Sequence, residues 1–285
     1  MSVTESPVAT PAPTTTPAHR AGRPATTWLL RVPGITVWGP FAVVLLVWEL
    51  VARLGVFPEA FFVGPGAVLE RTLHSIRVGI LPSYIADSLE RLAVGAAWGL
   101  VIGIVLGFLV GLNRYVRKFF WPLLLFFQAI GDIAWLPILI IWFGFSLTSV
   151  TIVIVYTVVF PLIISIVAAI DRIPTNLRRA AGSLGANRWQ RIVHVVLPAA
   201  LPGVSSGVRT GLGYGWRALI AAEIIIGTSG VGFMMFDGRR GGDVTLVFVG
   251  MIVLGVLWYL TDALILAPFE RATIERWGLV ERVGR

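Results

Sequence analysis

Residues 171–203 read DRIPTNLRRAAGSLGANRWQRIVHVVLPAALPG, a polar, arginine-bearing stretch set between two long apolar runs. Leu177, Ala180, Ala181 and Leu184 fall at i, i+3, i+4 and i+7, which places them on one face of a short helix that Thr175 or Asn176 can cap. Gly185 suits the left-handed stop after it. Asn187 then caps a second helix, with Trp189, Ile192, Val193 and Val196 on one face and Pro198 as its expected end. Two short amphipathic helices joined by a glycine turn, outside the membrane but apolar on one side, call for a partner surface or for the interfacial plane.

Outward from this stretch the chain becomes apolar. A spanning helix needs about 20 largely apolar residues, and six stretches qualify: 35–52, 92–112, 121–143, 150–170, 203–226 and 244–267. The fold class expected is therefore all-α, a membrane protein of six transmembrane helices with both termini on one side. Arg114, Arg117 and Lys118 follow the second stretch, and Arg172, Arg178, Arg179, Arg188 and Arg191 follow the fourth. By the positive-inside rule these loops are expected to be cytoplasmic. The alternate loops agree, since 144–149 carries no charge and 227–243 only Asp237, Arg239, Arg240 and Asp243. Arg20, Arg23 and Arg31 place the N-terminus inside as well. The long first loop, 53–91, balances its charges and is expected to hold a short helix near 66–78 lying outside.

Composition supports lipid as the main solvent. Of 285 residues 56% are hydrophobic and only 13% charged, against roughly 25% charged in soluble domains, and the mean hydropathy is +0.85. An ordinary cytosolic globule is excluded, because a body this size cannot hide that much apolar surface inside itself. A net charge of +8 would suggest nucleic acid in a soluble protein; here the basic residues sit in short loops, so no nucleic-acid partner is expected. The chain has no cysteine, which removes disulfides, thiolate metal sites and cysteine nucleophiles.

Residues 1–34 are rich in Pro, Thr and Ala and are expected to form a disordered cytoplasmic tail ahead of the membrane domain, 35–285. A cleaved signal peptide is the competing reading. Against it, the first apolar run begins only near Ile35, is longer than a typical signal core, and ends in Val51-Ala52-Arg53 without a small-residue cleavage site. In the second stretch Gly95, Gly99, Gly103, Gly107 and Gly111 recur every fourth residue. Their missing side chains make one slowly drifting ridge against which another helix can pack closely.

Chemistry is sparse. A phosphate-binding loop needs glycines set just ahead of a lysine, and the sole lysine, Lys118, follows Asn113-Arg114-Tyr115-Val116-Arg117 with no glycine run before it. His19, His74 and His194 are far apart, and no zinc-protease or nucleophile-elbow motif occurs. Catalysis, a metal and a cofactor of the chain's own are not expected. Polar groups inside spans are costly and so are functional candidates: Glu49, Asp132, Arg217, Glu223 and Asp262, with Gln128 as an uncharged companion. Arg217 and Glu223 lie about 240° apart round one helix and cannot pair with each other. Glu49 and Asp262, near predicted ends, suit interfacial or interhelical hydrogen bonds. Glu223 divides between a structural bond and a transport path.

Arg179-Ala180-Ala181, three residues to Gly185, nine to Val195, then Leu197-Pro198 reproduces the spacing of the EAA loop of ABC importer permeases, E-A-A-x3-G-x9-I-x-L-P. Arg179 stands where glutamate is usual and Val195 where isoleucine is usual. The likeness runs from Trp48-Glu49-Leu50 and Val63-Gly64-Pro65 through Ser88-Leu89-Glu90-Arg91, Ala134-Trp135-Leu136-Pro137, Trp142-Phe143-Gly144, Ala222-Glu223 and Gly230-Val231-Gly232 to Glu275-Arg276-Trp277. The chain thus resembles the binding-protein-dependent (MetI-like) permeases, in their nitrate, sulfonate and taurine branch. The resemblance implies a type I importer architecture with a core at about 84–268 and a coupling loop at 171–203. It also implies a second permease subunit, here a homodimer, in a prokaryotic cytoplasmic membrane. ABC ATPase subunits would bind the ATP, and an extracytoplasmic solute-binding protein would deliver substrate. Arg179, Ala180, Ala181, Gly185, Val195, Leu197 and Pro198 would then form the ATPase-coupling element, and Arg179 puts in doubt any contact needing a carboxylate there.

Gln128, Asp132, Arg217 and Glu223 are the candidates for a substrate path. Relatives tend to have prolines where this chain has Gly131-Asp132, and Pro137 should kink the helix nearby. If Asp132 faces the path, it disfavours a small inorganic anion such as nitrate and fits a zwitterion or nitrogen heterocycle better; a buried, protonated Asp132 is the other reading. A self-sufficient secondary transporter or channel is the competing class. It predicts inverted repeats between the halves, and none is evident.

Overall fold

A computed structural model describes residues 33–55, 58, 61–268 and 270, and every regular element among them is helical. The expected tail lies outside the described residues except for its last two, as does Glu275-Arg276-Trp277. Helix α1 (Pro33–Arg53) covers the first apolar stretch and belongs almost wholly to a compact unit that ends at Val51. Along it Phe41, Val44 and Leu46 are exposed.

The second unit begins at Ala52. It holds α2 (Pro65–Arg77), α3 (Ile80–Leu112), α4 (Arg114–Ala129), α5 (Leu136–Phe143), α6 (Leu147–Asp171), α7 (Thr175–Ser183), α8 (Arg188–Arg191), α9 (Leu197–Ile226), α10 (Val231–Arg240) and α11 (Val244–Thr261). Among the described residues four helical runs are long and apolar enough to cross a membrane, Ile80–Leu112, Leu147–Asp171, Arg188–Ile226 and Val244–Leu266. Helix α2 is the short helix expected near 66–78; Arg71 joins it to Asp243 at 2.7 Å, at the start of α11.

The core is α3, α6 and α9, and glycine sets how closely they pack. A methyl group in place of the glycine hydrogen would lie 2.7 Å from Ile154 at Gly95, 2.8 Å from Val158 at Gly99 and 2.8 Å from Leu162 at Gly103. The same holds for Ile166 at Gly107 and Ile170 at Gly111. The ridge expected from sequence is therefore a seam with a matching aliphatic row on α6. Both rows ascend together, so α3 and α6 run parallel. Helix α9 runs the other way: Gly203 abuts Ala169, Gly207 abuts Ser165 and Leu162, and Gly211 abuts the Val158 carbonyl.

Parallel α3 and α6 have a consequence for the segment between them. Helix α6 has 25 residues, roughly 37 Å at ~1.5 Å per residue, and the chain leaving the end of α3 must travel back along that length to begin α6. Helices α4 and α5 make this return as a broken span. One span was expected at 121–143 with a kink near Pro137; the bend is instead 85° and falls earlier, between Ala129 and Asp132. Ile130 leaves the helix with ψ 108°, a short 3₁₀ turn spans Asp132–Trp135, and Pro137 stands in the first turn of α5. That position tolerates proline, whereas an unbroken helix would place its ring against the carbonyl four residues back.

Two further expectations are corrected. The first loop was expected to run to residue 91, but α3 begins at Ile80, so Asp87, Glu90 and Arg91 are helical. With 33 residues, about 50 Å, α3 is longer than a ~30 Å hydrocarbon layer, and these charges lie in its first third. Pro198 was expected to end the second loop helix; the chain instead stays helical from Arg188 through a π turn at Ile192–Val196 into α9. The wider turn just before Pro198 is where a missing N–H and a bulky ring are accommodated.

Candidate functional site

Where the return segment breaks, it leaves a cavity of about 430 Å³ against α6 and α9, lined among others by Gln128, Gly131, Asp132, Tyr156, Thr157 and Tyr214. The Tyr156 hydroxyl donates to the Phe127 carbonyl and lies 3.2 Å from that of Ile130, so α6 holds the carbonyls that the break exposes. The Thr157 hydroxyl donates to the Val153 carbonyl at 2.8 Å and stands 3.4 Å from the Asp132 carboxylate. A hydroxyl has one proton, and with that proton engaged by Val153 the half-buried Asp132 keeps acceptor capacity facing the cavity. The Arg217 guanidinium lies 5.0 Å from the centre of the Tyr214 ring, a cation–π distance, without lining the cavity itself.

Glu223 is elsewhere. It is 0% exposed and meets Arg91, itself 7% exposed, at 2.8 Å. Ser88 Oγ lies 2.8 Å from the same carboxylate and accepts the Val231 N–H at 2.9 Å, while the Gly232 N–H donates to Glu223 Oε2 at 2.9 Å. Arg91 also donates to the Ser229 carbonyl at 2.5 Å and to its hydroxyl. Gly230 makes this closure possible with φ +106°, and a methyl group there would lie 2.2 Å from Glu223 Oε1. A buried charge needs a partner and hydrogen bonds, and this one has both. Of the two roles weighed for Glu223, the geometry is that of a knot joining α3, α9 and the start of α10, away from the cavity.

The 171–203 loop forms one short helix, α7, which begins behind Pro174 with no side-chain cap, and then α8, which continues through the π turn into α9. Asn187 and Gln190 form a reciprocal capping box on α8. Between the helices Gly185 takes φ +79°, a conformation costly for any residue with a Cβ. Ala180 and Ala181 lie on α7, Val195 in the π turn, and Leu197 and Pro198 open α9. Leu184 is 87% and Trp189 71% exposed and Leu177 is exposed too, whereas Ile192 and Val193 are half-buried and Val196 lies in the core. Among the described residues only the part of the apolar face nearest Gly185 is therefore uncovered. Of the remaining polar candidates Asp262 is paired: Arg209, which sequence reasoning passed over, binds both its oxygens at 2.7–2.8 Å and reaches Glu270. Missed too were Tyr156, Thr157 and Tyr214 in the cavity and the pairing of Arg91. In the sequence only the i, i+3 spacing of Ser88 and Arg91 hints at a polar face.

The family described as binding-protein-dependent transport system inner membrane component matches residues 99–268. The taurine transport system permease protein TauC of Escherichia coli K12 is 33% identical over 240 residues, covering 82% of this chain and 87% of that one. The bicarbonate transport system permease protein CmpB of Synechococcus elongatus is 34% identical over 193 residues, 67% of each chain. In backbone, a structure titled for inward-facing conformations of the MetNI methionine ABC transporter superposes with a TM-score of 0.60 at 21% identity, over 69% of this chain and 97% of that one, which is a likeness of fold. This chain therefore belongs to the binding-protein-dependent ABC importer permeases, the MetI-like superfamily, in the nitrate, sulfonate and taurine branch.

Proposed function

We propose that the chain forms the substrate path of an ABC importer in the cytoplasmic membrane of a prokaryote. Helix α1 supplies a sixth span and both termini lie inside. The path is completed by a second copy of the chain, fed by a solute-binding protein from outside and driven by separate ATPase subunits that bind the ATP. Residues 1–34 are a tail to the permease domain, and the core lies at about 84–268.

The observation that carries this reading is the 171–203 loop: exposed Leu177 and Leu184 before a positive-φ glycine and exposed Trp189 after it. Such a surface persists only if a partner covers it. In this reading Ala180 and Ala181 allow close approach, Gly185 sets the angle between the helices, and Val195, Leu197 and Pro198 carry the motion into α9. Arg179 offers a cation where relatives have a carboxylate. The substrate is a small organic solute such as a sulfonate, taurine or a nitrogen heterocycle. A cavity of about 430 Å³ falls within the ~300–1,000 Å³ of small-molecule sites, and Asp132 opposes a small inorganic anion.

The test is reconstitution. The purified chain alone is expected to hydrolyse no ATP above background, and uptake into vesicles is expected only with the ATPase and binding protein present. Sustained hydrolysis or uptake by the chain alone would refute the proposal.

A further inference from the structure

A second cleft, of about 450 Å³, opens where α3 gives way to α4 and α8 begins, lined by Leu112, Asn113, Arg114, Arg188, Arg191 and Ile192 among others. Three guanidinium groups thus border one recess. Among the described residues none of the three has a carboxylate within ion-pair reach. Their neighbour Arg117 shows the contrast. It binds Asp171 through two bonds of 2.7 Å, so its charge is used inside the fold, whereas Arg114 meets the Tyr115 ring at 5.6 Å and no carboxylate. Arg191 Nε is buried without a hydrogen-bond partner, which leaves a donor unused beside the cleft.

The surroundings say what kind of acceptor. Tyr115 and Phe119, on the first turns of α4, are exposed, as is Leu112 at the end of α3. The cleft sits at the ends of the spans α3 and α6, which the Arg117–Asp171 pair holds level. A cluster of arginines at a membrane boundary, beside uncovered aromatic and aliphatic surface, matches a molecule with an anionic head and apolar tails. Guanidinium groups suit phosphate because their planar forks donate paired hydrogen bonds. A free phosphate ion would satisfy the arginines and leave the apolar rim bare.

We propose that this cleft holds the phosphate headgroup of an anionic phospholipid between Arg114, Arg188 and Arg191. The site does not depend on which side of the membrane the cleft occupies or on the transported solute. Because Arg188 and Arg191 form α8, an occupied cleft ties the 171–203 loop to the end of α3.

Native mass spectrometry of the purified chain, released from detergent containing phosphatidylglycerol and phosphatidylcholine in equal amounts, tests this. Wild type is expected to retain phosphatidylglycerol in preference. Replacing Arg114, Arg188 and Arg191 together by Gln is expected to weaken that retention at least about tenfold, given roughly fivefold for each arginine at a membrane surface. Arg117→Gln, which spends a charge already paired, should retain lipid as wild type does. Arg114→Gln alone alters an exposed side chain and serves if the triple variant fails to fold, with a partial loss expected. Equal retention of phosphatidylglycerol by wild type and triple variant overturns the proposal. So does full displacement of the lipid by millimolar glycerol phosphate, which would assign the cleft to a soluble phosphate. A triple variant that keeps its lipid but no longer recovers an ATPase subunit would give the arginines to a protein partner and overturn it too.

Discussion

Glu223 and Asp132 are both carboxylates within apolar sequence, yet their settings are opposite. Glu223 is fully buried and closed in by Arg91, Ser88 and the Gly232 N–H. Asp132 stands at a break in a helix, beside a hydroxyl whose proton is already engaged, on the wall of a cavity. The first has the arrangement of a structural bond and the second that of a group awaiting a ligand. A charge inside a membrane domain is thus only a prompt to ask what it touches, and the answer lies in elements distant along the chain.

The comparison breaks most readily at the knot. Glu223→Ala leaves the Arg91 charge buried and unpaired, which costs about 3–5 kcal/mol. The purified variant is expected to lose most of its yield and to melt far below wild type. Adding Arg91→Met should restore only part of the loss, because Ser88 and the Gly232 N–H still lack an acceptor. Melting like wild type for Glu223→Ala would make the knot incidental.

Next comes the seam that the knot adjoins. Gly103→Leu forces a side chain into Leu162 and is expected to cost about 1–3 kcal/mol as a fall in melting temperature. Gly255 on α11 has open space around it. Gly255→Ala should leave the melting point level or slightly raised, since alanine is favoured over glycine in a helix by about 1 kcal/mol. Equal falls for both would show that helix propensity, and not close approach, governs glycine here.

Gly185→Val probes a place with ample room but a demanding backbone. Nothing lies within 4 Å of where its Cβ would be, so the cost is conformational, at least about 1 kcal/mol. Insertion is expected to stay normal while ATPase recovery and substrate-stimulated hydrolysis fall together. Gly182→Ala, on α7 with equal room, should change neither. Full stimulation in Gly185→Val would withdraw Ala180, Ala181 and Gly185 from the coupling element.

Asp132→Asn has the smallest effect on the fold, with melting expected within ~0.5 kcal/mol of wild type. Uptake is where it should show, as a raised KM with protein level unchanged. A large melting shift with unaltered kinetics would make Asp132 a second Glu223 and dissolve the contrast.

Local features were legible in the sequence because their causes are local. Four-residue glycine spacing announces a ridge, Asn187 announces a helix start, and Leu177, Leu184 and Trp189 announce an apolar face that the structure leaves uncovered. Arg217 and Glu223 were correctly judged unable to pair. What stayed hidden depends on distance. Arg91 finds Glu223 far along the chain, and while residues 80–91 were read as loop its charge had no reason to be inside. Arg209, inside the 203–226 stretch, was passed over although its partner Asp262 was singled out, because the two meet across 53 residues of chain. The break before Asp132 was half visible, since Pro137 implied a kink without revealing that Ile130 and Gly131 would turn the chain by 85° and open a cavity.

The seam between α3 and α6 is a ruler whose marks are all alike. Gly95 to Gly111 and Ile154 to Ile170 repeat with the same interval, so sliding one helix by a single repeat, roughly 6 Å, would again set glycine against aliphatic side chain along nearly its whole length. Close contact is secured by such a pattern; position is not. The zero mark must come from the ends, where Arg117 fastens the chain beyond α3 to the last residue of α6, and where Arg91 and Ser88 fasten the other end of α3 to Glu223. These fastenings are polar and each is singular. Loosening one of them allows a slip in register without any loss of helix, and paired cysteines, introduced into a chain that has none of its own, would report it by changing which positions cross-link.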